Sequence, residues 1–171
     1  RRRGCHRPDL PMNAEIRKGE DMEDNLGRRC RELFDSGCYC AESVVIAVAE
    51  RQGLPTGLAM RMATGFCGGI SRTGGLCGAL TGGIMALGMA DGRGSAADDH
   101  RPLYGKVARF IAEFEQRLGS TSCSDLLGCD ISTAEGAREF ASSDLEARVC
   151  AGITEAAGTI LETLLPPEAT G

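Results

Sequence analysis

Apolar residues recur along this chain at the three-to-four-residue spacing of an α-helix, and no stretch alternates as a half-buried strand would. Met22, Leu26, Cys30, Leu33 and Phe34 mark a first helix that Gly37 ends. A second opens at Tyr39–Cys40, carries the stripe Ala41, Val44, Val45, Val48 and Ala49, and stops at Gly53-Leu54-Pro55. Thr56 is the expected N-cap of a short helix through Leu58, Ala59 and Met62. The next apolar run, Ile84, Met85, Leu87 and Met89, starts from Cys77 and ends in the turn Asp91-Gly92-Arg93-Gly94. Leu103, Val107, Phe110, Ile111, Phe114 and Leu118 then form the cleanest amphipathic face, closed by Gly119. One capped turn over Ser122–Gly128 and a short helix near Thr133–Phe140 follow. The last helix runs from about Leu145 to Leu165, with Val149, Ile153, Ala156, Ile160 and Leu164 inward, and stops at Pro166-Pro167.

The pattern predicts an all-α fold: an irregular bundle of six to eight helices in a single domain spanning 22–171. Residues 1–21 have no hydrophobic period, carry Pro8, Pro11 and Gly19, and read as a disordered or extended tail. A chain of 171 residues is long enough to bury a core. Trp is absent and aromatics are few, so aliphatic residues must fill it, with Met60, Met62, Met85 and Met89 expected as filler. The net charge of −5 argues against nucleic acid as the main partner. No apolar run is long enough to span a membrane and no secretory signal is visible, so a cytoplasmic protein is expected. His6 and His100 read as solvated.

Nine cysteines are the compositional anomaly. In a reducing compartment such a count points to metal binding or redox chemistry before structural disulfides. Local spacing does not resolve which. The C-x-x-C pairs of zinc ribbons and thioredoxin-type motifs are missing, as are ferredoxin runs and the C-x-x-C-H of covalent haem. What the chain offers instead is Cys38-x-Cys40, Cys67-x₉-Cys77 and Cys123-x₅-Cys129, so any site must be assembled from distant segments. Gly65–Gly83 (GFCGGISRTGGLCGALTGG) has the densest glycine use in the chain, which signals left-handed backbone or close approach. It lacks a P-loop lysine, and nucleotide binding is not expected. Cys40, Cys77 and Cys123 each sit at a predicted helix start, where backbone N–H groups and the dipole favour a thiolate. Cys150 lies within the last helix, on the stripe Cys150, Ile153, Ala157 and Leu161. Gly78 and Gly82 present a smooth face for helix contact, and Arg72 either faces water or offsets the charge of an anionic cluster.

With Gly37-Cys38-Tyr39-Cys40-Ala41, then Cys77-Gly78-Ala79-Leu80-Thr81-Gly82, then isolated Cys123 and Cys150, the chain resembles the C-GCAxxG-C-C redox-active proteins. The resemblance spans roughly residues 30 to 155. It implies that Cys40, Cys77, Cys123 and Cys150 are the four family cysteines, with a redox role. The domain is also similar to that of split-Soret cytochromes, which hold an iron–sulfur cluster as well as haem; without a haem motif, only the cluster carries over. The chain departs from the family pattern by five additional cysteines, of which Cys38 or Cys67 could replace a family ligand.

Three functions follow as expectations. The first is an electron-transfer protein, an oxidoreductase component, binding an iron–sulfur cluster through Cys40, Cys77, Cys123 and Cys150. The second is a thiol–disulfide protein cycling Cys40 with Cys77, or Cys67 with Cys77. The third is a zinc, copper or purely structural helical module. Any redox reading implies a redox partner protein, and a homodimer is compatible with the sequence.

Overall fold

The computed structural model of the chain describes residues 25–165, all of whose regular structure is helical. In chain order the right-handed α-helices are α1 (Leu26–Asp35), α2 (Cys40–Arg51), α3 (Thr56–Ala63), α4 (Gly78–Asp91), α5 (Arg101–Leu118), α6 (Cys123–Leu127), α7 (Ala134–Ser142) and α8 (Ala151–Glu162). The expected tail over 1–21, the start at Met22 and the stop at Pro166-Pro167 lie outside the described residues. No described helix is long and apolar enough to cross a membrane.

α2 occupies the centre because its sequence is apolar all round: Ala41 and every residue from Val44 to Ala49 are buried. It packs against α1, α3, α4 and α8. Three glycine contacts set how closely the helices approach. A Cβ on Gly158 would stand 2.8 Å from the Cα of Gly27 and 2.7 Å from Cys30 Sγ, so α1 and α8 meet backbone to backbone. That contact encloses Cys30, which is fully buried and acts as a small core residue. A Cβ on Gly82 would stand 2.9 Å from the Cα of Ala41, which fixes α4 on the first turn of α2. Gly83 faces the Phe110 ring of α5, where any side chain would collide.

Some local expectations are corrected. Pro55 holds the N-cap position of α3, and Thr56 is its first helical residue. Met60 and Met62 are exposed rather than core filler, because α3 is one short helix that buries only Ala59 and Ala63 against α2. Met85 and Met89 do pack, half-buried, against that cluster. The last helix begins as a π-helical segment, Glu146–Cys150, before α8 takes over. Within α8, Ala157 is buried and Ala156 sits at the rim of the inward face.

The only strand-like pairing among the described residues is a single antiparallel bridge, Leu76 to Ser122. Cys77 N–H donates to Thr121 O at 2.8 Å, and Cys123 N–H to Gly75 O at 2.7 Å. These bonds lay the start of α6 beside the start of α4.

Candidate functional site

Where the N-termini of α2, α4 and α6 meet the π segment, a cavity of about 320 Å³ opens. Five cysteines line it: Cys40, Cys67, Cys77, Cys123 and Cys150. All five are unbonded thiols. Each comes from a different segment, and Leu126, Leu127, Ile131, Phe140 and Ile153 supply much of the remaining wall. The four cysteines of the sequence pattern therefore share one cavity with a fifth.

Each thiol has its own positioning device. Cys40 is the first residue of α2, whose entry is pinned by buried Glu42. The Glu42 carboxylate accepts from Tyr39 N–H at 2.8 Å and from the Thr64 hydroxyl at 2.8 Å, tying the loop after α3 to the start of α2. Gly78 leaves the space in which Cys40 ends, since a Cβ there would stand 2.4 Å from Cys40 Sγ. Gly78 and Gly82 thus do serve a close contact, with Cys40 and Ala41 as the opposing groups.

Cys67 precedes an unusual turn. Gly68, Gly69, Ile70, Ser71 and Arg72 all have φ between 54° and 66°, five consecutive residues in the left-handed region. For Ile70, Ser71 and Arg72 that conformation costs roughly 1–2 kcal/mol each. Bonds from Ser71 Oγ to Gly65 O (3.0 Å), Thr73 Oγ1 to Gly69 O (2.8 Å) and Gly75 N–H to Gly69 O (3.0 Å) hold it. Gly69 is needed there for a second reason: a Cβ would lie 2.5 Å from the Cβ of Cys123. The turn reverses the chain so that Cys67 and Cys77 face the same space.

Cys77 is the N-cap of α4, and Cys123 the first residue of α6, whose cap is the Ser122 hydroxyl. Cys150 closes the π segment, and its carbonyl accepts from the Thr154 hydroxyl at 2.8 Å. Single π turns inside helices are frequent at functional sites because the wider turn redirects a side chain.

Electrostatically the thiols are unequal. Cys40 is held below the ordinary thiol value, first by the neighbouring Cys67 thiol and then by backbone N–H groups of Gly68, Ala41 and Cys40 itself, which together outweigh burial. Cys67, whose thiol donates to Ala63 O at 3.8 Å, is pushed up by Cys40 and by burial. Burial pushes Cys77 up to about 12, with the Cys40 charge second, although the N–H groups of Ala79 and Leu80 pull the other way. Burial likewise pushes Cys123 up to about 12 and raises Cys150. The helix-start expectation of thiolates thus fails at Cys77 and Cys123, because desolvation exceeds what the helix N–H groups return.

The other described cysteines lie off the cavity wall. Cys30 is core, half-buried Cys38 packs beside the same core, and Cys129 is buried near Cys123, Leu127 and Ile131. Cys40, not Cys38, is the member of the Cys38-x-Cys40 pair that lines the cavity. Arg72 is exposed and lines the cavity, so it both faces water and adds a positive charge there. Sequence reasoning passed over Glu42, whose signal was its place as the third residue after Tyr39, and left Cys67 unassigned despite its flanking glycines. Among the described residues no three His, Cys, Asp or Glu side chains are grouped as a single metal ion requires.

Residues 38–164 match the family described as "Putative redox-active protein (C_GCAxxG_C_C)". The chain belongs to this family. It is also 37% identical over 108 residues to a protein of Archaeoglobus fulgidus named "Uncharacterized protein", covering 58% of this chain and 72% of the relative. No solved structure matches. For a C_GCAxxG_C_C protein the glycines of the central motif have a physical meaning here. Gly78 makes room for one cavity sulfur, Gly82 for the helix that carries it, and Cys77 supplies the neighbouring sulfur.

Proposed function

We propose that this protein transfers electrons through an iron–sulfur cluster held by the thiolates of Cys40, Cys77, Cys123 and Cys150. The observation that carries the reading is that these four, from separate segments, line one largely apolar cavity. The donor set suits the group. A cluster, with its metal ions distributed, takes thiolates spread around a cavity.

The bound cluster would supply a one-electron couple that side chains lack. This chain's residues would set its surroundings. Leu126, Leu127, Ile131 and Phe140 would exclude water, and the N–H groups of Gly68 and Ala41, already aimed at Cys40, would withdraw charge from that sulfur. Because burial raises Cys77, Cys123 and Cys150, loading would release their protons. Electrons would arrive from a carrier protein in a reducing compartment such as the cytoplasm.

Anaerobic purification, with and without reconstitution by ferrous iron and sulfide, tests the reading. A brown protein with iron and acid-labile sulfide in equal amounts is expected. Colourless protein free of both after reconstitution would sink it, and stoichiometric zinc with no redox response would favour the structural alternative.

A further inference from the structure

The cavity holds one thiol more than the family pattern accounts for. Cys67 is buried and lines the same cavity as Cys40. Both approach the same glycine: a Cβ on Gly78 would stand 2.4 Å from Cys40 Sγ and 3.3 Å from the Cα of Cys67. The two sulfurs ride on different supports. Cys40 begins the central helix α2, fixed by Glu42, whereas Cys67 sits at the hinge between a 3-10 turn, Thr64–Phe66, and the left-handed turn.

We propose that Cys40 and Cys67 form a disulfide pair, a modification site at which a hydroperoxide is reduced and Cys40 is withdrawn from the thiol set while the cavity is empty. The Cys40 sulfur attacks the outer peroxide oxygen; the O–O bond breaks, the alcohol (or water) leaves, and Cys40 becomes a sulfenic acid. The Cys67 sulfur then attacks the Cys40 sulfur, the S–O bond breaks, and the departing hydroxide takes the Cys67 proton as water. In total two thiols and one hydroperoxide give one disulfide, one alcohol and one water. Two electrons pass from sulfur to oxygen. A dithiol or a disulfide reductase reverses the pair through exchange. The consequence for loading rests on the cluster reading above; the disulfide itself does not.

The test uses the reduced, cluster-free full chain exposed to hydrogen peroxide, alkylated, and digested with trypsin without reductant. Cleavage after Arg31, Arg51, Arg61 and Arg72 leaves Cys40 with Cys38 in one peptide and Cys67 alone in another. These two peptides should appear joined, lighter by two hydrogens than their sum, and the join should persist in Cys38→Ser. Cys67 recovered alkylated after peroxide, or Cys40 joined to Cys77, would overturn the proposal. In Cys67→Ser the same exposure should carry Cys40 on to the sulfinic acid, so that dithiothreitol no longer restores cluster loading as it does for the wild type. Loss of loading in untreated Cys67→Ser would make Cys67 a ligand and also overturn it. A joined pair in a protein that never takes up iron supports the disulfide and removes the cluster reading instead.

Discussion

Cys40 and Cys77 look alike in sequence: each sits at a helix N-terminus two or three residues after a glycine, and each lines the same cavity. Their chemistry diverges. Cys40 collects N–H groups from its own helix and from Gly68 across the cavity, plus the Cys67 thiol, and is held low. Cys77 receives two N–H groups from its own helix, lies deeper, faces the charge of Cys40, and is pushed up to about 12. A helix N-terminus therefore does not make a thiolate by itself. The balance turns on how many donors from other segments reach the sulfur, set against the water that burial removes. In a cavity with several thiols the first to ionise also holds the others neutral, and only a cation placed among them reverses that order.

The largest expected disturbance of this contrast is Gly82→Val. A Cβ there lies 2.8 Å from Ala41 O and 2.9 Å from its Cα, both backbone, so α2 must shift as a body and carry Cys40 with it. A loss of about 2–3 kcal/mol is expected in urea unfolding, with the reactivity of Cys40 falling toward that of Cys77. Unchanged stability would show that α2 and α4 do not meet there. Next comes Glu42→Ala, which frees Tyr39 N–H and the Thr64 hydroxyl at once. It should lower stability by about 1–3 kcal/mol and slow alkylation of Cys40, whereas Glu42→Gln should recover most of both.

A smaller effect separates the two thiols directly. In Cys40→Ser the charge that helps hold Cys77 up is gone, so the pH at which Cys77 becomes alkylatable should fall. A rise, or no movement, would mean that the two sulfurs are not electrostatically linked. Last is the pH dependence of the cluster-free fold. Cys77 and Cys123 are raised to about 12, above the ~8.5 of an unfolded thiol. Their protonated forms favour the folded state, so their contribution is whole below that value and is lost as pH rises towards 12. The urea midpoint should decline over that window; a midpoint that rose would contradict the burial of these thiols.

Much of the fold was legible because helix periodicity is strong where it matters. The stripe on α2 and the face Leu103–Leu118 of α5 both correspond to helices in the structure. Gly37, Gly119 and Gly128 all adopt the left-handed conformation expected just past a helix end. The site was legible only as a set of spacings. Cys40, Cys77, Cys123 and Cys150 could be singled out, but their common cavity depends on pairings that leave no periodic trace. These are the bridge Leu76–Ser122 and the left-handed run Gly68–Arg72. Ile70, Ser71 and Arg72 gave no sign of that backbone, since non-glycine residues adopt it only when tertiary contacts compel them. The exposure of Met62 was missed for the opposite reason: helical spacing identifies a face without saying whether anything covers it.

The central claim is that Cys40, Cys77, Cys123 and Cys150 act together on one bound cluster. It is tested most directly by anaerobic reconstitution of five single variants, Cys40→Ser, Cys77→Ser, Cys123→Ser, Cys150→Ser and Cys30→Ser, with iron, sulfide and the visible absorption spectrum measured for each. The account predicts that each of the first four loses or visibly alters the cluster, while Cys30→Ser, altered only in the α1–α8 contact, retains the wild-type spectrum. Full loading with an unchanged spectrum in all four cavity variants would contradict it.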